Sequence, residues 1–265
     1  MTFESLHLKA RWLGCQRIEL ASCGSTNDEA ARLARAGAKH GTIVIAERQA
    51  SGRGRDGRVW QSPPGGLYMS AVLRPSMPVI DVPPMTLAIG IGLCEAVRTT
   101  GAPAVLKWPN DLLVHDRKLA GVLVEAQSQG SRLEALIVGI GVNISGELPE
   151  PVAETAITLA EAAGTTIDRD AFVERMLAHV ERWVERYVSV GLAAIIPAWQ
   201  ERMAVGLTAR ATIDGEARIG SVAGLDADGA LLLRDDAGNV HRVRSGDVEV
   251  LRRSVSRPAT VPMPG

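Results

Sequence analysis

The sequence predicts an α/β or α+β domain of about 200 residues, followed by a small antiparallel β-barrel of about fifty. Three observations carry that reading. Before Gly206, short β-branched runs alternate with segments of helical period. After Gly206 the apolar period changes to two, and Asp/Gly turn pairs recur at short intervals. The last eleven residues, 255–265, hold three prolines and no apolar period. The expected division is therefore a core at 1–204, a β module at 205–253 and a disordered tail at 254–265.

Residues 17–21 suit a first strand. Ser25, Thr26 and Asn27 offer hydroxyl or amide caps for a helix at 28–36, which Gly37 stops. Residues 42–46 and 67–73 read as buried strands, separated by a Gly/Arg stretch with almost nothing to bury. Residues 85–97 are apolar nearly all round, as a helix buried against a sheet would be. Strands are expected at 104–107, 118–125 and 133–139, with 111–115 forming a hairpin that turns at Asp116-Arg117. Helices are expected at 153–163 and 171–188, and at 192–202 with Pro197 interrupting or bending it. In the 171–188 segment, Val173, Leu177, Val180, Val184 and Tyr187 make one stripe that a core alone explains. Strands at 207–213, 216–225, 230–234 and 240–244 complete the C-terminal module.

Composition narrows the function. The formal net charge is −1, so no broad nucleic-acid footprint is expected and anions must be met by local clusters. Three cysteines at uneven spacing fit a reducing compartment, and Cys94 sits in an apolar run as a small core residue. No signal peptide and no membrane-spanning run are visible, so the expected location is the cytoplasm. The five histidines have no Cys, His or paired-carboxylate neighbours, which argues against zinc.

Four segments are candidates for chemistry. In Gly52-Arg53-Gly54-Arg55-Asp56-Gly57-Arg58, glycines allow close backbone approach while three guanidinium groups repel unless an anion lies among them. Trp60 adds a flat face for a base; the competing reading is a flexible RNA-contacting loop. Lys107-Trp108-Pro109-Asn110-Asp111 either presents a nucleotide and Mg²⁺ site, with Asp111 as metal ligand, or is a surface turn. Lys118 opens an apolar strand with Gly121 permitting a close pass; a solvated strand end would look the same. Asn143, after Gly139 and Gly141, either meets an adenine or ribose edge or caps a turn. No Walker A, Rossmann or nucleophile-elbow spacing is present. What remains is equipment for phosphoryl groups without a protein nucleophile.

Taken in order, these segments resemble the biotin–protein ligases, also called biotin–[acetyl-CoA-carboxylase] ligases. The matching pieces are STN at 25–27, ERQASGRGRDGRVW at 47–60, GGLYMS at 65–70, KWPNDLLV at 107–114, RKLAGVLVE at 117–125 and VGIGVNI at 138–144. The resemblance spans residues 18–251. It implies a mixed β-sheet core like that of class II aminoacyl-tRNA synthetases, with helices, and a C-terminal SH3-like β-barrel. It places Ser25, Thr26, Gln49, Gly52, Arg53, Arg55 and Lys118 on biotin. Arg58, Trp60, Lys107, Asn110, Asp111 and Asn143 fall on the nucleotide side, with Asp111 toward Mg²⁺. Arg55, Arg58 and Lys118 are the implied catalytic group.

The implied reaction joins biotin to ATP as biotinyl-5′-AMP, releasing pyrophosphate, then moves biotin to a lysine of a biotin carboxyl carrier domain of acetyl-CoA carboxylase. Two anions must meet, which explains the local positive charge. Arg58 is expected near the reacting anions and Arg55 in retaining the intermediate. Asp56 departs from the basic or neutral residue usual there; it either pairs with Arg53 or Arg58 or does nothing. Only some 15 residues precede the first strand, so no helix-turn-helix domain and no DNA binding are expected. Monomer and homodimer are both open. A lipoate or octanoyl ligase would share the fold but not usually the full GRGRxGRxW motif.

Overall fold

Strict alternation on three central strands decides the layering. Ile43 and Ile45, Leu67, Met69, Ala71 and Leu73, and Leu136, Val138, Ile140 and Val142 enter one core. Their odd neighbours Val44, Val72, Ala135 and Ile137 enter a second, smaller cluster with Ala30 and Ala34. A sheet buried on both faces gives unbroken apolar runs, which is how these strands read. The computed structural model describes residues 9–250 apart from 131, 205, 214, 245 and 247, so the expected tail at 254–265 lies outside the described residues.

In chain order the elements are β1 (Arg17–Leu20), α1 (Thr26–Arg35), β2 (Thr42–Ala46), β3 (Leu67–Leu73), α2 (Met85–Arg98), β4 (Val105–Lys107), β5 (Asp111–Val114), β6 (Arg117–Gln129) and β7 (Arg132–Val142). There follow α3 (Leu159–Ala163), α4 (Arg169–Val190), α5 (Leu192–Gln200), β8 (Thr208–Ile213), β9 (Glu216–Leu225), β10 (Leu231–Arg234), β11 (Val240–Val243) and β12 (Val248–Val250). The first seven strands form one mixed sheet ordered β1-β2-β3-β7-β6-β5-β4; β1 and β2 are parallel and the remaining pairs antiparallel. Helix α1 covers one face, while α2 and α4 cover the other.

Gly92 allows the second layer to be tight. A Cβ there would lie 2.7 Å from the Val180 Cα of α4, so the two helices touch backbone to backbone. The stretch Val79–Arg98, with mean hydropathy 1.4, is long and apolar enough to cross a membrane. Here its helix lies within the core, where Met85, Ile89, Leu93 and Cys94 are fully buried.

Four expectations need correction. The helix expected at 153–163 is broken into a 3₁₀ turn, Val152–Glu154, and the short α3. Tertiary hydrogen bonds outcompete its helical ones: the Lys118 amide donates to the Thr155 carbonyl at 2.8 Å and the Ile157 amide to the Lys118 carbonyl at 3.0 Å. Ser25 occupies the N-cap of α1 without a side-chain capping bond. Helix α5 continues through Pro197, so of the two expected effects the interruption does not occur.

The largest correction concerns the C-terminal module, which is not a barrel. Its strands form an open sheet ordered β11-β10-β9-β8-β12. Closure would need β11 to pair with β12, and the two stand at opposite edges as strands of four and three residues. The long β9 pairs with both β8 and β10, shifting register between Leu232 and Leu233. Turn chemistry was read correctly, but it does not tell whether outer strands meet.

Candidate functional site

The site grows out of one face of the sheet. Along β7 the α1-facing positions run Ala135, Ile137, Gly139, Gly141, so apolar side chains give way to bare backbone where α1 begins. In register, Tyr68, Gly141, Gly121 and Asp111 form one row across β3, β7, β6 and β5. Ser70, Gly139 and Leu123 form the next. A Cβ at Gly139 would sit 2.4 Å from Asn27 Oδ1, and one at Gly141 would sit 2.6 Å from the Trp60 ring. The glycines are therefore a floor on which Asn27 and Trp60 rest.

A bulge delivers Lys118 to that floor. Leu112 pairs with Ala120 but Leu113 pairs with Lys118, leaving one extra residue on β6. Leu119 and Ala120 both enter the core, and Lys118 turns to the face of Gly121 and Asp111. Its Nζ lies 2.7 Å from Asp111 Oδ1 and 5.2 Å from the centre of the Trp60 ring. Lys107 Nζ approaches Asp111 Oδ2 at 3.4 Å. The Lys118 contact is an ion pair without hydrogen-bond geometry, so Asp111 Oδ1 has no hydrogen-bond partner. Burial pushes the Lys107 ammonium down from its ordinary pKa, Asp111 opposes this, and Lys118 and Arg58 add to it.

The opposite wall is α1 and the strand-end glutamine. The Thr26 amide and hydroxyl both donate to Gln49 Oε1, at 2.8 and 3.0 Å, and Gln49 Nε2 donates to Ser62 Oγ at 3.0 Å. Ser70 Oγ bridges Thr26 Oγ1 and Asn27 Oδ1 at 2.7 and 2.5 Å. Tyr68 donates to the Pro63 carbonyl at 2.6 Å, and burial raises its phenol to about 12, so it stays neutral.

The Gly/Arg loop closes the top as a small hairpin. Arg53 bridges Val59, the Gly54 amide donates to the Arg58 carbonyl at 2.7 Å, and the Trp60 amide to the Gly52 carbonyl at 2.9 Å. Its tip, Arg55–Gly57, is one 3₁₀ turn in which Asp56 and Gly57 take φ of 55° and 73°. Asp tolerates that region, so an Asp-Gly pair at a loop tip is a turn signature. The contacts of Arg53 run to Asp28 and Glu125.

Together these walls enclose a cavity of about 140 Å³. Of the expected site residues, Ser25, Thr26, Gln49, Arg53, Arg55, Arg58, Trp60, Asn110, Asp111 and Lys118 line it. Gly52, Lys107 and Asn143 stand behind the lining. Asn143 is buried and donates to the Lys118 and Ile157 carbonyls at 3.3 and 3.4 Å, clipping the backbone that carries Lys118. Asn27 and Tyr68 line the cavity without having been given a role, and Gly139 and Gly141, read only as the strand end before Asn143, form its floor. The Trp60 Nε1 atom is buried over Gly141 without a hydrogen-bond partner. Among the described residues no group of three or more His, Cys, Asp or Glu side chains could hold a metal.

A mixed sheet whose glycine floor meets a lysine–carboxylate pair under an arginine lid defines an enzyme that brings anions together, a ligase of the acyl-activating kind. Comparison with known proteins specifies which. Residues 21–143 match the biotin/lipoate A/B protein ligase family and residues 210–251 the biotin protein ligase C-terminal domain. The bifunctional ligase/repressor BirA of Bacillus subtilis is 32% identical over 249 residues, covering 92% of this chain and 76% of that protein. The biotin–[acetyl-CoA-carboxylase] ligase of Paracoccus denitrificans is 34% identical over 227 residues, covering 83% and 94%. The Aquifex aeolicus biotin protein ligase, solved with biotin and ATP, superposes with TM-score 0.78 at 30% identity, covering 90% of this chain and 99% of that one. The chain belongs to the biotin protein ligase family, and it is a biotin-activating ligase.

Proposed function

We propose that the cavity binds biotin against α1 and Gln49, and that ATP meets it on the Lys118 side beneath the arginine loop. The ligase activates biotin as biotinyl-5′-AMP, releasing pyrophosphate, and then transfers biotin to a lysine with release of AMP. The observation that carries the division of roles is Asp111, pinned between Lys107 and Lys118 beside Trp60. Ser25, Thr26 and Gln49, with Arg55 of the loop, wall the biotin side, while Gly52 and Arg53 belong to the stem that carries the loop. Arg58, Trp60, Lys107, Asn110 and Asp111 serve the nucleotide, and Asn143 acts through the backbone of Lys118.

The chemistry follows from charge. Biotin carboxylate attacks the α-phosphorus of ATP; Lys118 and Arg58 offset the repulsion between the two anions. Arg55 and the closed loop keep water from the mixed anhydride until a neutral acceptor lysine attacks. Asp111, whose Oδ1 has no hydrogen-bond partner, is the residue that would hold one Mg²⁺ together with phosphate oxygens and water. Bound there, Mg²⁺ would neutralise phosphate charge.

The acceptor in this reading is a biotin carboxyl carrier domain, and the setting is the cytoplasm, consistent with three free cysteines. Residues 1–204 supply the catalytic unit and 205–253 a companion unit. Transfer of biotin to a purified carrier domain, with ATP and Mg²⁺ omitted in turn, tests the reading. Biotinylation should require both, and transfer that persists without ATP refutes it.

A further inference from the structure

Two of the loop's arginines differ in placement. Arg55 lies in the tip, whereas Arg53 belongs to the stem through its bridge to Val59. The Arg53 guanidinium donates twice, from Nη1 to Asp28 Oδ2 at 2.7 Å and from Nη2 to Asp28 Oδ1 at 2.6 Å. That is the parallel fork geometry in which arginine holds carboxylate best. Glu125 Oε1 stands 4.0 Å from the same nitrogen, and Asn27 donates to Glu125 Oε2 at 2.5 Å. Both acids facing Arg53 therefore sit on elements that wall the cavity, and Asp28 directly follows Asn27 in the first turn of α1.

We infer that Asp28 is a positioning residue for the ligase reaction: its pair with Arg53 latches the stem of the arginine loop onto α1, and the Arg53 guanidinium serves this latch rather than the biotin carboxylate. The inference rests on the ligase reading above and adds to it a residue outside every motif. Asp28 is held below the usual carboxylate range, chiefly by its hydrogen bonds from Arg53, so the pair stays charged at neutral pH. The loop thereby has a fixed hinge side at Arg53 and a tip at Arg55–Gly57 that opens for substrate. Since the partners are 38% and 56% exposed, the latch should change rates by about threefold to fivefold, not abolish them.

The test uses the full chain with Asp28→Asn, Arg53→Asp and the charge-swapped pair Asp28→Arg/Arg53→Asp. Trypsin cleavage after Arg55 and Arg58 in ligand-free protein should be about threefold to fivefold faster in Asp28→Asn. Escape of preformed biotinyl-adenylate into a chase should rise by a similar factor, while single-turnover adenylate formation changes less than about twofold. The swapped pair should restore both rates toward wild type, which a merely local packing defect would not allow. Unchanged cleavage and escape in Asp28→Asn, or slower escape because Arg53 is released to the ligand, overturns the latch. If wild-type protein forms no biotinyl-adenylate, the ligase reading fails, and the cleavage rates alone decide whether the latch exists.

Discussion

At Lys118 the chemistry depends on a single extra residue in a strand. The bulge at Leu112/Leu113 turns its ammonium onto the glycine floor, and hydrogen bonds from 155–157 and Asn143 fix its backbone. Gly141 is the matching test of the floor itself. Gly141→Ala would put a methyl group 2.6 Å from the Trp60 ring, displacing the indole that stacks beside Lys118. Steady-state kinetics should show the KM for ATP rising about tenfold, with thermal stability changed by less than about 1 kcal/mol. Lys118, Trp60, Asp111 and the arginines were legible because glycine, charge and aromatic residues cluster within short segments. The floor role of Gly139 and Gly141 and the Asp28–Arg53 pair were not, since each acquires meaning only through strand register or a contact across 25 residues.

Elements are tied by a half-buried carboxylate away from the site. Glu95 of α2 accepts from His179 at 3.0 Å and Trp183 at 2.9 Å on α4, from Arg202 at 3.1 Å after α5, and pairs with Arg182. Burial pushes its carboxyl up, but hydrogen bonds from His179 and Trp183 and the charges of Arg182 and Arg202 win, holding it at about 2. A depressed carboxylate stabilises the fold above its unfolded pKa and loses that contribution as pH falls through the folded value. The loss therefore runs from about pH 4.5 down to about 2. Glu95→Gln should cost about 2 kcal/mol at pH 7 in urea unfolding and should flatten the acid limb of the stability curve across that window. Helices with a clean apolar stripe, such as α4, were legible from period alone. The broken helix at 152–163 was not, because its helical propensity is local and the bonds that override it come from Lys118 and Asn143.

At the scale of the molecule, the companion sheet meets the catalytic domain at the KWPND turn. Trp108 is 6% exposed and its Nε1 donates to the Gly229 carbonyl at 3.0 Å. Beside it the Leu106 amide donates to the Arg202 carbonyl and the Ala204 amide to the Leu106 carbonyl. Trp108→Phe should lower stability by about 1 kcal/mol through the unpaired carbonyl. Hydrogen exchange should show the added opening at β9 and β10 rather than in the seven-stranded sheet. Period-two strands and Asp-Gly turns announced this module, yet they gave a barrel where an open sheet stands, because closure is a relation between edges and leaves no mark on either strand.

The claim that the lysine–aspartate pair on a glycine floor performs biotin adenylation is tested most directly by single-turnover pyrophosphate release. Wild-type protein should release pyrophosphate only when biotin and ATP are both present. Lys118→Met, which keeps the length of the side chain, should release it about 10²–10³-fold more slowly with an unchanged unfolding midpoint. Release independent of biotin, or a Lys118→Met protein as fast as wild type, would contradict the account.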